Sequence, residues 1–250
     1  MNIRRIFLLV TGLVCLLNLH AQNTPLKVLA FQNPEEAPSN AEFTQKILTF
    51  LEGINGNGEL AFEQTADPSR INEKDLKDVN VIIMLGHIPL NNQQQKAFQN
   101  FMENGGRWLG FQATAVYAKG NWPWFNEFIG GACLEESCLP ALPAKLKTED
   151  PLHPVCRGIP GYYIAPANEW HVFSNGLRQN PHVSVLQSLA AESFPAGITN
   201  VVKSGDIPVT WINRKYNMIY FNVGHDGNSF SDPTQNLLIT NALKWLLTPQ

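Results

Sequence analysis

Residues 79–85 read Val-Asn-Val-Ile-Ile-Met-Leu, and this run constrains the fold more than any other. A strand that is apolar at almost every position cannot have one wet face. It predicts a strand covered on both sides, as in a parallel sheet between two helical layers. The run ends at Gly86 and His87, and its neighbours fit such a sheet. Residues 26–31 form a first buried strand, ended by Gln32, Asn33 and Pro34. Ser39 and Glu42 have capping-box spacing, and Phe43, Ile47, Phe50 and Leu51 recur on one helical face until Gly53. A turn at residues 55–58 leads into a second strand over residues 59–65. Asn91 caps a further helix whose inner face is Ala97, Phe98, Phe101 and Met102; Gly105 closes it and a strand follows over residues 107–111. Strand and helix alternate, which makes this an α/β domain.

That strand stops at Gly110, Phe111, Gln112 and Ala113, whose small residues suit a sharp turn beside a ligand. Ligands of open α/β sheets sit beyond the carboxyl ends of the strands, so Gln112, Trp122 and Trp124 are expected to wall a site. The other reading makes Trp122, Trp124 and Phe125 core aromatics on a short helix, the commoner fate of large rings. From Cys133 onward, Pro140, Pro143, Pro151, Pro154, Pro160 and Pro166 predict an insertion of short extended pieces and loops. Strands follow at residues 183–189, 208–213 and 217–223, the last two paired through Arg214, Lys215 and Tyr216. Asp232 and Pro233 start a final helix docked by Leu238, Ala242, Trp245 and Leu246. With 250 residues, 44% hydrophobic, the chain is long enough for one such domain, expected over residues 22–250.

Arg4 and Arg5 precede an apolar run over residues 6–19 and a small-residue site at Ala21, the pattern of a secretory signal. The run is shorter than the roughly 20 residues a spanning helix needs. Residues 1–21 are therefore expected to be cleaved, giving a periplasmic or secreted protein with no membrane attachment. Removing Arg4 and Arg5 leaves 16 basic against 21 acidic residues, a net charge of −5, and no charged run. That balance excludes nucleic acid as the expected partner. Cys133 and Cys138 are near enough in sequence to close a disulfide loop, with Cys156 left over, and their spacing fits no zinc pattern.

Polar groups are expected together at the carboxyl ends of several strands: Gln32 and Asn33, His87, Gln112, and His225 with Asp226. Asn168, Glu169, Trp170 and His171 sit in the proline-rich insertion and are expected to fold over the same rim. A carboxyl beside an apolar ring, as Glu169 is beside Trp170, suits proton transfer near neutral pH. Histidine exchanges a proton there without such help. The bland readings are an exposed loop glutamate and a turn histidine. His87, His171 and Glu169 lack metal-ligand spacing, so no metal is expected. No phosphate loop or dinucleotide fingerprint is present, so no nucleotide cofactor is expected either. Gln112 occupies the turn where a hydrolase of this class would carry its nucleophile, and an amide cannot attack a carbonyl.

Gly110-Phe111-Gln112, Trp122-Pro123-Trp124, Gly130-Gly131, His153-Pro154, Asn168-Glu169, Pro208-Val209-Thr210-Trp211 and Gly224-His225, in that order, resemble the ThuA-like (trehalose utilisation) family across about residues 27–247. The resemblance implies a class I glutamine amidotransferase-like fold, a flavodoxin-like three-layer sandwich with a mostly parallel central sheet, the amidase cysteine lost, and a role in sugar metabolism. It departs from the family pattern at Gln112, where a histidine is expected, and after Gly131, where a histidine is absent. Two readings stay open. One is an exported enzyme acting on a neutral sugar or keto-glycoside, with Glu169 as acid or base, His225 its partner and Asp226 orienting the histidine. In that reading Gln112, Asn168, His171 and His87 bind substrate, with Trp122 or Trp124 against the ring. The other is a carbohydrate-binding protein without catalysis. Either leaves a homo-oligomer open.

Overall fold

The computed structural model describes residues 25–33, 38–55, 60–120, 122–174, 176–190 and 206–248. The expected signal at residues 1–21 and all but Asn55 of the expected turn at residues 55–58 lie outside these. Nine strands form one sheet: β1 (Leu26–Phe31), β2 (Leu60–Thr65), β3 (Val81–Met84), β4 (Arg107–Phe111), β5 (Cys133–Thr148), β6 (Tyr162–Phe173), β7 (Val183–Leu189), β8 (Pro208–Asn213) and β9 (Asn217–Phe221). Their order is β2-β1-β3-β4-β9-β8-β7-β5-β6. The first five in that order pair in parallel and the rest antiparallel. The expected mostly parallel sheet is thus parallel in one half only. The tight β8–β9 hairpin reverses the chain there, and a long hairpin of β5 and β6 extends the antiparallel half.

Helices cover both faces, and alternation along the strands decides which residues meet them. Val28, Ala30, Val81, Ile83, Leu109, Phe111, Ile219 and Phe221 pack beneath α1 (Pro38–Ile54) and α6 (Pro233–Leu247). Leu29, Phe31, Ile82, Met84, Trp108, Met218 and Tyr220 face the other layer. That layer contains α2 (Glu73–Leu76), α3 (Asn92–Glu103), α4 (Pro123–Ile129) and α5 (Gly176–Gln179). Asn91 and Gln94 form the capping box of α3, and Asp232 caps α6 with Pro233 in its first turn. Leu238, Ile239, Ala242, Leu243 and Leu246 are buried from α6, the larger ones contributing about 1.5–3 kcal/mol each. Ser39 is the second residue of α1.

Gly110 is not at a turn. A Cβ there would lie 1.9 Å from the Trp108 ring, so the glycine makes room for the indole within β4. The proline-rich region forms long strands, not short pieces. Prolines are tolerated because β6 is the sheet edge and the β5–β6 ladder is irregular. Its register shifts between Leu142 and Ala144, where the partners move from Asn168 to Ala165 and Pro166 occupies the slack. Cys133 is a buried free thiol. Cys133 and Cys138 lie on the one strand β5, where five residues span roughly 16 Å, beyond disulfide reach. None of the described helices is long and apolar enough to cross a membrane.

Candidate functional site

β6 crosses the carboxyl ends of β4 and β9, held there by three buried amide side chains. Gln112, just past β4, donates from Nε2 to the Glu169 carbonyl at 2.5 Å. Asn222, just past β9, accepts at Oδ1 from the His171 N–H at 3.0 Å and donates from Nδ2 to the His171 carbonyl at 2.7 Å. Asn168 accepts at Oδ1 from the N–H groups of Gly224 and His225, each at 3.1 Å, and donates from Nδ2 to the carbonyls of Glu169 and Asn222. Exposure of these amides is 3% or less. Side chains at such a depth need partners, and here the backbone of β6 and of the segment after β9 supplies them.

The backbone so fixed brings Glu169 and His225 together. The carboxylate Oε2 lies 3.5 Å from His225 Nδ1, with 28% and 23% of the two side chains exposed. Both are therefore open to a ligand. Trp170 does not contribute as expected, because neighbouring strand residues point to opposite faces. Trp170 is in the core beneath, while Glu169 and His171 share the outer face about 7 Å apart along the strand. Burial, aided by the Lys119 charge, pulls the His171 imidazole down to about 4, so it is neutral at physiological pH. Burial also lowers His87, whose ring packs 4.7 Å from that of Tyr117. Asn33 bonds the His87 carbonyl at 2.7 Å.

The roles expected of five residues are corrected. Gln112 and Asn168 stand where expected, but their amides tie β6 to the sheet instead of reaching for hydroxyls. Asp226 accepts from Asn228 as the cap of a short 3-10 turn, so its carboxylate serves the backbone and does not orient His225. Trp122 and Trp124 are core aromatics. Trp122 is buried against Phe98, Tyr117 and Phe125. Trp124 stacks on Phe128, meets Tyr216 and donates to Glu103 Oε1 at 2.9 Å. Glu103 and Tyr216 precede β4 and β9, so Trp124 lies toward the amino end of the sheet, away from Glu169. The Trp211 of the Pro-Val-Thr-Trp motif is structural too: its Nε1 donates to the Ile129 carbonyl at 2.7 Å, satisfying the end of α4.

Asn222 is the residue that sequence reasoning missed. Its signal was a lone amide directly after the buried Met-Ile-Tyr-Phe run of β9. Among the described residues, no three His, Cys, Asp or Glu side chains gather to hold a metal.

Against known proteins, the family model described as ThuA, trehalose utilisation, matches residues 27–246. A ThuA-like protein from Bacteroides uniformis has a similar structure, with 37% identity, a TM-score of 0.85 and coverage of 90% of this chain and 93% of that one. A second, from Parabacteroides merdae, has 16% identity and a TM-score of 0.66, covering 89% of this chain and 90% of the other. A GMP synthase component from Thermoplasma acidophilum shares the fold at 10% identity, with a TM-score of 0.59 over 90% and 95% of the two chains. No curated protein matches.

Proposed function

The chain belongs to the ThuA, or trehalose utilisation, family, and from that premise we propose that it is an exported carbohydrate-processing enzyme. It acts on a neutral sugar or keto-glycoside by general acid and base chemistry. The observation that carries the reading is the partly exposed Glu169–His225 pair at the carboxyl end of the sheet, 3.5 Å apart. A carboxylate and an imidazole facing one substrate can divide its proton transfers, one accepting from a substrate hydroxyl or C–H group while the other stabilises the resulting charge. His171, held neutral beside them, is a hydrogen-bonding group for the substrate and adds no charge. Glutamine amidotransfer is lost, since the residue after β4 is Gln112, whose amide is bonded to the Glu169 carbonyl.

The same bond supports a second reading, carbohydrate binding without catalysis, because Gln112 supplies no proton-transfer group. The mature protein, beginning at Gln22, is assayed for turnover of disaccharides and their 3-keto forms beside Glu169→Gln. Loss of turnover with retained binding is the expected result. Full activity of the variant overturns the role of Glu169, and binding without product in the parent protein selects the second reading.

A further inference from the structure

Gln32 and Asn33, which end β1, are not used by the Glu169–His225 pair, and they border a separate cavity of about 320 Å³ between α1 and the carboxyl ends of β1 and β2. Alternation makes its lining unusual. Gln32 follows Ala30 on the α1 side of β1, and Gln64 is in register with Ala30 and so shares that side. Nearer the middle of the sheet this face carries Val28, Ala30 and Phe62 beneath α1. At the cavity it carries two amides, and α1 answers with Thr44 and Gln45. Thr44 is 5% exposed, and its Oγ1 is buried without a hydrogen-bond partner among the described residues. That hydroxyl is closed off from the cavity, so the polar groups a ligand can reach there are the amides of Gln32, Gln45 and Gln64.

We propose that this cavity is a second binding site, for one neutral polyhydroxylated ring of monosaccharide size. Amides and hydroxyls both donate and accept, which is what sugar hydroxyls require of a partner. Leu48 and Ala41 give an apolar surface for the C–H face of a ring. Among the described lining residues Glu52 alone is charged, which disfavours anions and is too little to hold a cation. The volume is at the lower end of small-molecule pockets and so favours a single ring. Phe43, beside Thr44, packs on Phe111 and lies within 3.3 Å of a Cβ built on Gly224, so α1 separates this cavity from the loop carrying His225. The proposal extends the saccharide reading to a second place but does not depend on turnover at Glu169.

The test is calorimetric titration and saturation-transfer NMR of the full mature protein with glucose, trehalose and myo-inositol. The variants are Gln32→Leu, Gln45→Leu with Gln64→Leu, and Glu169→Gln. Saturable binding of at least one probe is expected, weakened about tenfold or more in the double glutamine variant and in Gln32→Leu, and unchanged in Glu169→Gln. Gln45 and Gln64 are exposed, so the double variant keeps the fold, which its unchanged melting curve checks. Absence of binding by all three probes overturns the proposal, as does binding that the cavity variants leave intact. Binding lost only in Glu169→Gln also overturns it and places the sugar at the first site. Failure to detect turnover, with this binding present, defeats the enzymatic reading alone.

Discussion

The side chain of Asn222 pairs with the backbone of His171 as a neighbouring strand would, accepting from its N–H and donating to its carbonyl. One amide thus joins the end of β9 to β6, and replacing it leaves two backbone groups unmatched. Asn222→Leu is expected to cost roughly 2–4 kcal/mol, a fall in Tm on the order of 10 °C. If the proposed enzymatic reading holds, turnover falls with it because Glu169 is no longer held opposite His225. Asn222→Asp, which keeps the acceptor but loses the donor, is expected to fall between. Differential scanning calorimetry with the activity assay checks the order.

Acidification destabilises the protein before its carboxylates protonate. His171 is pulled down to about 4 in the fold by burial and Lys119, from an ordinary 6.5. Below 6.5 the unfolded chain binds a proton that the folded chain refuses, so stability is full above that pH and lost as pH falls towards 4. The loss is at most about 3 kcal/mol from this group. His87 and His153, both lowered by burial, add in the same direction. Chemical denaturation at pH 7, 5.5 and 4.5 is expected to show a declining midpoint, with a shallower decline in His171→Gln.

Trp124→Ala separates packing from recognition. Its stacking on Phe128 and its bond to Glu103 are lost, costing about 2–3 kcal/mol. Affinity for any saccharide is expected to stay at the parent value. A fall in affinity beyond the loss of folded protein would return this ring to the binding site.

Gly224 has a φ of 143°, a conformation side chains rarely adopt, and a Cβ there meets Phe43 at 3.3 Å and the Gln112 Cβ at 3.4 Å. Gly224→Ala is expected to cost about 1–3 kcal/mol and to shift His225, the next residue. A parent-like Tm with parent-like activity would show that the loop absorbs the methyl group.

How far the sequence could be read follows from which forces are local. The strands of the parallel half and the capped helices α3 and α6 were readable, since alternation, Asn91 and Asp232-Pro233 act within a few residues. The β5–β6 hairpin was not: prolines argue against strands unless one knows that β6 is an edge with a bulge at Pro166, and edges are set by tertiary order. Gln112, Asn168, Glu169 and His225 lie together at the rim, but Gln112 reaches a carbonyl and Asn168 two N–H groups more than 50 residues away, so their service to the backbone was hidden. Trp122 and Trp124 look the same in sequence whether they face a sugar or Phe98 and Phe128.

The crossing of β6 over the strand ends means that Glu169 and His225 come from opposite halves of the sheet and meet only when those halves have docked. A brief local opening that lifts β6 would erase the pair while leaving β1, β3 and β4 intact, so the chain can lose this arrangement without unfolding. Any ligand that touches both residues works as a latch. The amide hydrogens of His171, Gly224 and His225 should then exchange with solvent more slowly when it is bound, while those in the middle of β3 keep their rate.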